Sequence, residues 1–437
     1  MNEKLLKREI TEDEISYPSG NPVDPFGRVF FMDNRVLRAV THEYKFFCEQ
    51  LLSSSLIEEL TEKELIPRTT VIKYNMKGYS LVLEHEKIMH TKPTEWVFSM
   101  LKDAGLAILE VNKLCKKHGY CLKDAHPWNI SFKNNKPIFL DFGSIVSKDE
   151  NVENFFLQEF RDTICYPLIL WSRNEEMFAQ ALLSNPLNIY KRTIPENTLA
   201  QSNLMKNILT SLELPLESNE AFISSLNLPK SESTMWESYQ VEFFDEINKN
   251  NFCQRFKRFQ VIKNLIDEYS PNQKTIIDLA GNMGAMAFYL QKNGSYEKII
   301  NVDYDESAIE VSYRKLRELN SSVETYLLNF MLPKRDDVST SLKSDISLSL
   351  AITHHLILSQ GFSLDFIFSR INEYTDKFVY IEFMPLGLWG GGEELPDIPI
   401  WYTEEWFREG FVKKFDLVRR EQLEKNRIIY IGKIKNK

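Results

Sequence analysis

The chain has 437 residues, 43% of them hydrophobic, and 53 Lys and Arg against 62 Asp and Glu give a net charge of −9. That length suits two or three domains with sizeable cores, and the acidic balance argues against nucleic acid as the partner. Five scattered cysteines (48, 115, 121, 165 and 253) form no CxxC pair, and no apolar run approaches the ~18 residues a membrane span needs, so a cytoplasmic protein with reduced thiols is expected.

In chain order, residues 1–25 are polar, hold three prolines, have no apolar core of a signal peptide, and read as a loose arm. GRVFFMDNRVLRAV (27–40) predicts two short strands around an Asp33-Asn34 turn. Apolar residues at helical spacing follow over 42–65, then two strands, TTVIKYN and SLVLEHE. Residues 95–118 predict an amphipathic helix stopped by Gly119. ISFKNNKPIFL reads as a hairpin around Asn134-Asn135, and residues 151–250 carry helical spacing with little strand signal. From Thr275 strand and helix alternate, so the main boundary falls between 230 and 250. We place an arm at 1–25, a first domain with a helical extension at 26–235, and a second domain at 236–437.

Within GYCLKDAHPWNISFKNNKPIFLDFGSI (119–145), an Asp, an Asn five residues on and a D-F-G 17 residues on share one spacing: Asp124, Asn129 and Asp141-Phe142-Gly143. The segment resembles the catalytic stretch of protein kinases and aminoglycoside phosphotransferase-like enzymes. The resemblance implies an α+β kinase-like domain in which Asp124 accepts a hydroxyl proton while Asn129 and Asp141 hold Mg²⁺ on the phosphates of ATP. Arg38 stands where the phosphate-binding Lys belongs, with Glu43 or Glu49 as its helix partner. Three departures weaken an active kinase: no glycine-rich phosphate loop, Arg for Lys, and Leu122 in place of the His before the catalytic Asp. A degenerate scaffold or acceptor-binding module, an active phosphotransferase and a chance resemblance stay open.

KTIIDLAGNMGAMAFYLQKNG (274–294) reads as a strand, a small-residue turn and a helix, with Asp278 at the strand's end and Ala280, Gly281, Asn282 and Gly284 in the turn. Such a turn lets backbone approach a ligand at a helix N-terminus. KIINVDYDESAIEV supplies a second strand ending at Asp303, placed to accept hydrogen bonds from ribose hydroxyls. A third strand ends near Asn329, a fourth runs over 344–358 and a fifth ends at Glu382; FDLVRRE and NRIIYIGKI close the chain as a hairpin.

The region 275–432 resembles class I methyltransferases, on Asp278-Leu279-Ala280-Gly281-Asn282-Met283-Gly284 and the terminal hairpin. With A-x-x-H-H-L at 351–356 and I-E-F-x-P at 381–385, it is similar to a bacterial group of nodulation-protein-like methyltransferases. The likeness extends upstream through TEWVFSMLKDAGLAILEVNKLCKKHGYCLKDAHPWN and MWESYQ. It implies a Rossmann-like α/β domain, a seven-stranded sheet ending in an antiparallel hairpin, with S-adenosyl-L-methionine as cofactor. The turn at 280–284 would follow the methionine part, Asp303 the ribose and Asn329, commonly Asp in relatives, the adenine; Tyr304 and Ala351 complete the expected cofactor set.

His354 and His355 stand at the expected end of the fourth strand, where either could remove a proton from an acceptor, or only shape the pocket. Glu382 either orients the acceptor or is a solvated strand-end carboxylate. The loop at 385–401, with four glycines, three prolines and two tryptophans, reads as a lid or an ordinary surface loop. The expected function is methyl transfer to O or N of a small-molecule or glycosyl-type acceptor, with no metal beyond Mg²⁺ at Asn129 and Asp141 should ATP bind. A bifunctional kinase–methyltransferase, a non-catalytic sensor of the cofactor, and methylation of protein or RNA are the alternatives.

Overall fold

The computed structural model describes residues 8–18, 24–184, 219–228, 241–249, 257–332, 342–390, 392 and 394–435. Cys253, the segment MWESYQ, about half of the arm and part of the 151–250 stretch lie outside them. The chain divides into two compact units, the first of residues 1–94 and 100–229, the second of residues 95–99 and 230–437.

In the first unit, β1 (Arg8–Ile10) pairs with β5 (Tyr74–Met76). Strands β2 (Gly27–Met32), β3 (Arg35–Val40), β4 (Thr69–Ile72) and β6 (Leu81–His85) form an antiparallel sheet in the order β2-β3-β6-β4. The β2–β3 turn is the one read from sequence: Asp33 and Asn34 take φ of 50° and 64°, the paired left-handed conformation a two-residue hairpin needs. Thus TTVIKYN is two strands, not one. Helices Lys45–Leu52 and Ser55–Glu62 follow β3, and helix Phe98–Lys117 ends where Gly119 turns at φ 84°. Strand β7 (Tyr120–Leu122) pairs with β10 (Ile145–Ser147), and β8 (Ile130–Lys133) with β9 (Lys136–Phe139) around Asn134 and Asn135. Helix Glu150–Phe160 then widens into a π-turn at Arg161–Cys165. Ile10, Phe30, Leu37, Ala39, Met76 and Val82 form a buried cluster against the sheet.

The second unit holds one seven-stranded sheet: β11 (Thr275–Leu279), β12 (Lys298–Asp303), β13 (Glu324–Leu327), β14 (Ser344–Ser349), β15 (Thr375–Phe383), β16 (Phe415–Glu424) and β17 (Arg427–Ile434). Their order is β13-β12-β11-β14-β15-β17-β16, with the first five parallel and β17 antiparallel to both neighbours. This is the doubly wound sheet with the terminal hairpin expected from sequence. The central strands are apolar on both faces because helices cover both, and the core runs from Phe244 and Ile262 through Phe288 to Ile431. Phe368 packs edge to face on Phe407, Phe411 and Phe415 at centroid distances of 5.4–5.8 Å, holding helices Leu364–Glu373 and Glu404–Lys414 to the hairpin.

Candidate functional site

Parallel order places the carboxyl ends of β11, β12, β13, β14 and β15 along one edge, and chain reversal at β11 opens a crevice there. The turn after β11 is built for close approach. Ala280, Asn282 and Gly284 take φ of 60°, 53° and 81°. A Cβ on Gly281 would stand 2.2 Å from the Asn301 Oδ1 and 2.7 Å from the Asp278 Oδ2, so only glycine fits. Helices Glu306–Glu318, Leu364–Glu373 and Glu404–Lys414 carry side-chain caps from Asp305, Ser363 and Thr403. Helix Ala285–Asn293, which follows the turn, has none, which favours a polar or anionic group at its N-terminus.

Asp303 ends β12 and ties the crevice together: its Oδ2 accepts from Asn282 N–H at 2.8 Å and its Oδ1 from Asp305 N–H at 2.9 Å. Each oxygen keeps a lone pair for a hydroxyl. Burial pushes the Asp303 carboxyl upward, against the two backbone donors. Asp278 is deeper still, at 2% exposure; burial, aided by the charge of Asp303, pushes it up to about 8. A cavity of about 90 Å³ is lined by Ala280, Tyr304, Asn329, Met331, Ile352 and Gln360, among others. The Asn329 Oδ1 accepts from Met331 N–H at 3.0 Å, which turns the amide's nitrogen, a donor, outward. Strand β13 stops at Leu327, two residues before Asn329.

The fourth strand is shorter than its apolar pattern predicted. It ends at Ser349, Ala351 takes φ 52°, and His355–Ser359 forms a π-turn preceded by His354. LAITHHLIL is apolar enough for a strand, but the left-handed Ala351 breaks the extended backbone. His354 and His355 therefore lie on the turn beyond the strand, with ring centroids 4.1 Å apart. His354 is 5% exposed; burial, with His355 and Arg427 nearby, lowers its pKa to about 3, so the ring is neutral. Burial also lowers His355.

Glu382 is no solvated carboxylate. It is fully buried inside β15, its Oε2 accepts from the Arg427 Nη1 at 2.9 Å, and its backbone oxygen accepts from Thr353 Oγ1 at 2.7 Å. Arg427, on β17, escaped the sequence reading because only the hairpin register carries it to Glu382. The 385–401 loop is anchored rather than free at its ends. Leu386 N–H donates to the Asn426 Oδ1 at 2.6 Å, Lys425 lies 4.8 Å over the Trp389 ring, and Tyr402 packs on Phe383 at 5.1 Å.

Several buried polar atoms of this edge have no hydrogen-bond partner: Asp278 Oδ1, Asn282 Oδ1, Ser349 Oγ, His354 Nδ1, Glu382 Oε1 and Tyr402 Oη. Buried polar groups are normally satisfied, so such a row marks a place where a polar ligand docks.

In the first unit the expected kinase-like residues meet differently. Arg38 Nη2 donates to the Asp141 Oδ1 at 2.9 Å and Nη1 lies 3.5 Å from the Asp24 Oδ2. Neither Glu43 nor Glu49 is its partner; Glu49 pairs with Lys45. Asp141 also accepts from Gly143 N–H at 3.1 Å, capping a short 3-10 turn. Asp141 thus spends its Oδ1 on an arginine and a backbone amide, and Asn129 keeps its Nδ2, a donor, buried. Asp124 is pushed by burial up to about 6. Among the described residues Asp124, His126 and Glu159 form the one group whose ligand atoms lie within 4.8 Å of one another; Glu159 was invisible in the sequence as one helical acid among several.

No protein-family model matches the chain. It is 22% identical over 411 residues to nodulation protein NoeA of Rhizobium meliloti (strain 1021), covering 84% of each chain. Among solved structures it is similar to the magnesium protoporphyrin IX methyltransferase of Synechocystis PCC 6803, crystallised with bound S-adenosylmethionine: 11% identity, TM-score 0.33, 46% of this chain and 93% of that one. It is also similar to the bifunctional kinase–methyltransferase WbdD, at 17% identity and TM-score 0.30, over 41% of this chain and 39% of that one. No described helix is long and apolar enough to cross a membrane.

Proposed function

We propose that the second unit is an S-adenosylmethionine-dependent methyltransferase acting on O or N of a small-molecule or glycosyl-type acceptor. The observation that carries this reading is the set of buried carboxylates, Asp278, Asp303 and Glu382, lining one sheet edge with unpartnered oxygens on two of them. A ligand bearing a sulfonium and an ammonium group complements such a crevice, and its charge would draw off the proton that Asp278 holds to about pH 8. The residues fit that cofactor: the turn at 280–284 would lie along its methionine part, Asp303 would hold the ribose, and Asn329 would offer its Nδ2 to an acceptor nitrogen of the adenine. When bound, the cofactor supplies an electrophilic methyl group.

The protein's part is positioning and proton removal. A neutral His354 with an unpartnered Nδ1 accepts the proton of an acceptor hydroxyl or amine. Glu382, fixed by Arg427, keeps its Oε1 for the acceptor or the ammonium group. We assign the first unit a scaffold or acceptor-binding role in a kinase-like fold, because Arg38, where a phosphate-binding Lys would stand, is paired with Asp141 and Asp24.

Calorimetric titration with S-adenosylhomocysteine tests the reading. Binding in the micromolar range, weakened roughly a hundredfold by Asp303→Ala, supports it. An absence of binding to the folded wild-type chain overturns it.

A further inference from the structure

The corner of the first unit formed by the turn after β7 and the end of helix Glu150–Phe160 brings together groups that the proposed methyl transfer does not use. Asp124 and His126 flank Ala125, whose N–H donates to the Glu159 Oε2, so the helix and the turn are locked in register. Pro127 opens the 3-10 turn Pro127–Asn129 and His126 precedes it in extended conformation at φ −82° and ψ 151°, which fixes the backbone that carries the imidazole. Glu159 is 4% exposed and lies directly before the π-turn Arg161–Cys165, an irregularity that concentrates at functional sites. The ligand atoms of Asp124, His126 and Glu159 lie within 4.8 Å of one another. The His126 Nδ1 is closed off from solvent and has no hydrogen-bond partner.

We infer that Asp124, His126 and Glu159 form a binding site for one divalent transition-metal cation. Two carboxylate oxygens and one imidazole nitrogen are a mixed set that suits Mn²⁺ or Zn²⁺, whereas Mg²⁺ prefers oxygen ligands alone. At Asp124 the competing contact is weak: the Lys123 Nζ stands 3.6 Å from the Asp24 Oδ1 and 3.9 Å from the Asp124 Oδ2, and is a third exposed, so it can move aside. The site differs from the Mg²⁺ site that the kinase resemblance implied, since it uses neither Asn129 nor Asp141. It requires no nucleotide, and it is independent of the second unit's activity.

The experiment is titration of the full chain, stripped with EDTA, with MnCl₂, followed by calorimetry and by pulsed electron paramagnetic resonance. We expect one tight Mn²⁺ per chain, with affinity falling roughly tenfold or more in Asp124→Asn and in His126→Gln, and a nitrogen coupling that vanishes in His126→Gln. Glu159→Gln keeps an oxygen acceptor for Ala125 N–H, and should lower affinity with its metal-free thermal transition unmoved. A wild-type chain that binds no Mn²⁺, binding indifferent to His126→Gln and Asp124→Asn, or binding lost only in Asp141→Asn would each overturn the inference. So would displacement of Mn²⁺ by an equal concentration of Mg²⁺.

Discussion

Each unit gathers carboxylates at its candidate site, half-buried in the first and buried in the second, and they are treated differently. In the first, Asp141 is held by Arg38 and by Gly143 N–H, and Arg38 is shared with Asp24. In the second, Asp278 and Glu382 each leave an oxygen without a partner, and His354 leaves a nitrogen. A half-buried carboxylate paired with an arginine and a backbone amide serves the fold. A buried polar atom left unmet is tolerated where a ligand completes it. On the proposed reading the D-F-G of the first unit acts as structure, while the small-residue turn after β11 takes the ligand.

Breaking that contrast should give the largest effect at the turn. Gly281→Ala drives a Cβ into Asn301 and Asp278, and we expect a loss on the order of 3 kcal/mol in the second unit's unfolding, together with loss of S-adenosylhomocysteine binding, both read by calorimetry. A normal transition would show that the turn yields. Next, His354→Gln should slow methyl transfer about a hundredfold, while S-adenosylhomocysteine affinity stays within about threefold; single-turnover assays against a cell-extract acceptor pool separate the two. An unchanged rate would reduce His354 to shaping the pocket.

Smaller effects sharpen the comparison. Arg38→Met strands Asp141 and Asp24, and should lower the first unit's stability by about 2 kcal/mol without altering S-adenosylhomocysteine binding; a parallel loss of binding would refute the division of roles. Asp278 gives the smallest effect, in pH dependence. Its folded carboxyl holds a proton to about pH 8, whereas the unfolded one releases it near 3.8. This contribution to stability is complete below the lower value and is lost as pH rises through the upper one. Asp278→Asn cannot titrate, so its melting temperature should fall less than the wild type's on raising pH from about 7 to about 8, a gap on the order of 1 kcal/mol. Equal falls would mean that Asp278 is ionised throughout.

Much of this was legible beforehand. The paired asparagine turns and the strand–turn–helix at 275–293 are local, because left-handed backbone and close approach select residue type directly. Asp278, Ala280, Gly281, Asn282, Gly284 and Asp303 were named on that ground, and the structure gathers them at one edge. The overlong fourth strand failed because nothing in LAITHHLIL marks Ala351 as left-handed. The partners of Arg38 failed for another reason: Asp24 and Asp141 reach it across the fold, while Glu43 and Glu49 were merely near in sequence. Glu159 and Arg427 are of the same kind, since long-range register makes them partners.

The Glu382–Arg427 pair has a bearing on how the protein is made. The two residues are 45 positions apart, one inside β15 and the other on the strand that seals it. During synthesis from the N-terminus, the turn, Asp303, His354 and Glu382 all emerge before the cation that neutralises Glu382. Until Arg427 arrives, a carboxylate destined for the interior has every reason to stay in water, and β15 has no partner on that side. The crevice is thus completed late: its earliest residues wait on one of its latest, and until Arg427 arrives Glu382 lacks the counter-charge that lets this edge close.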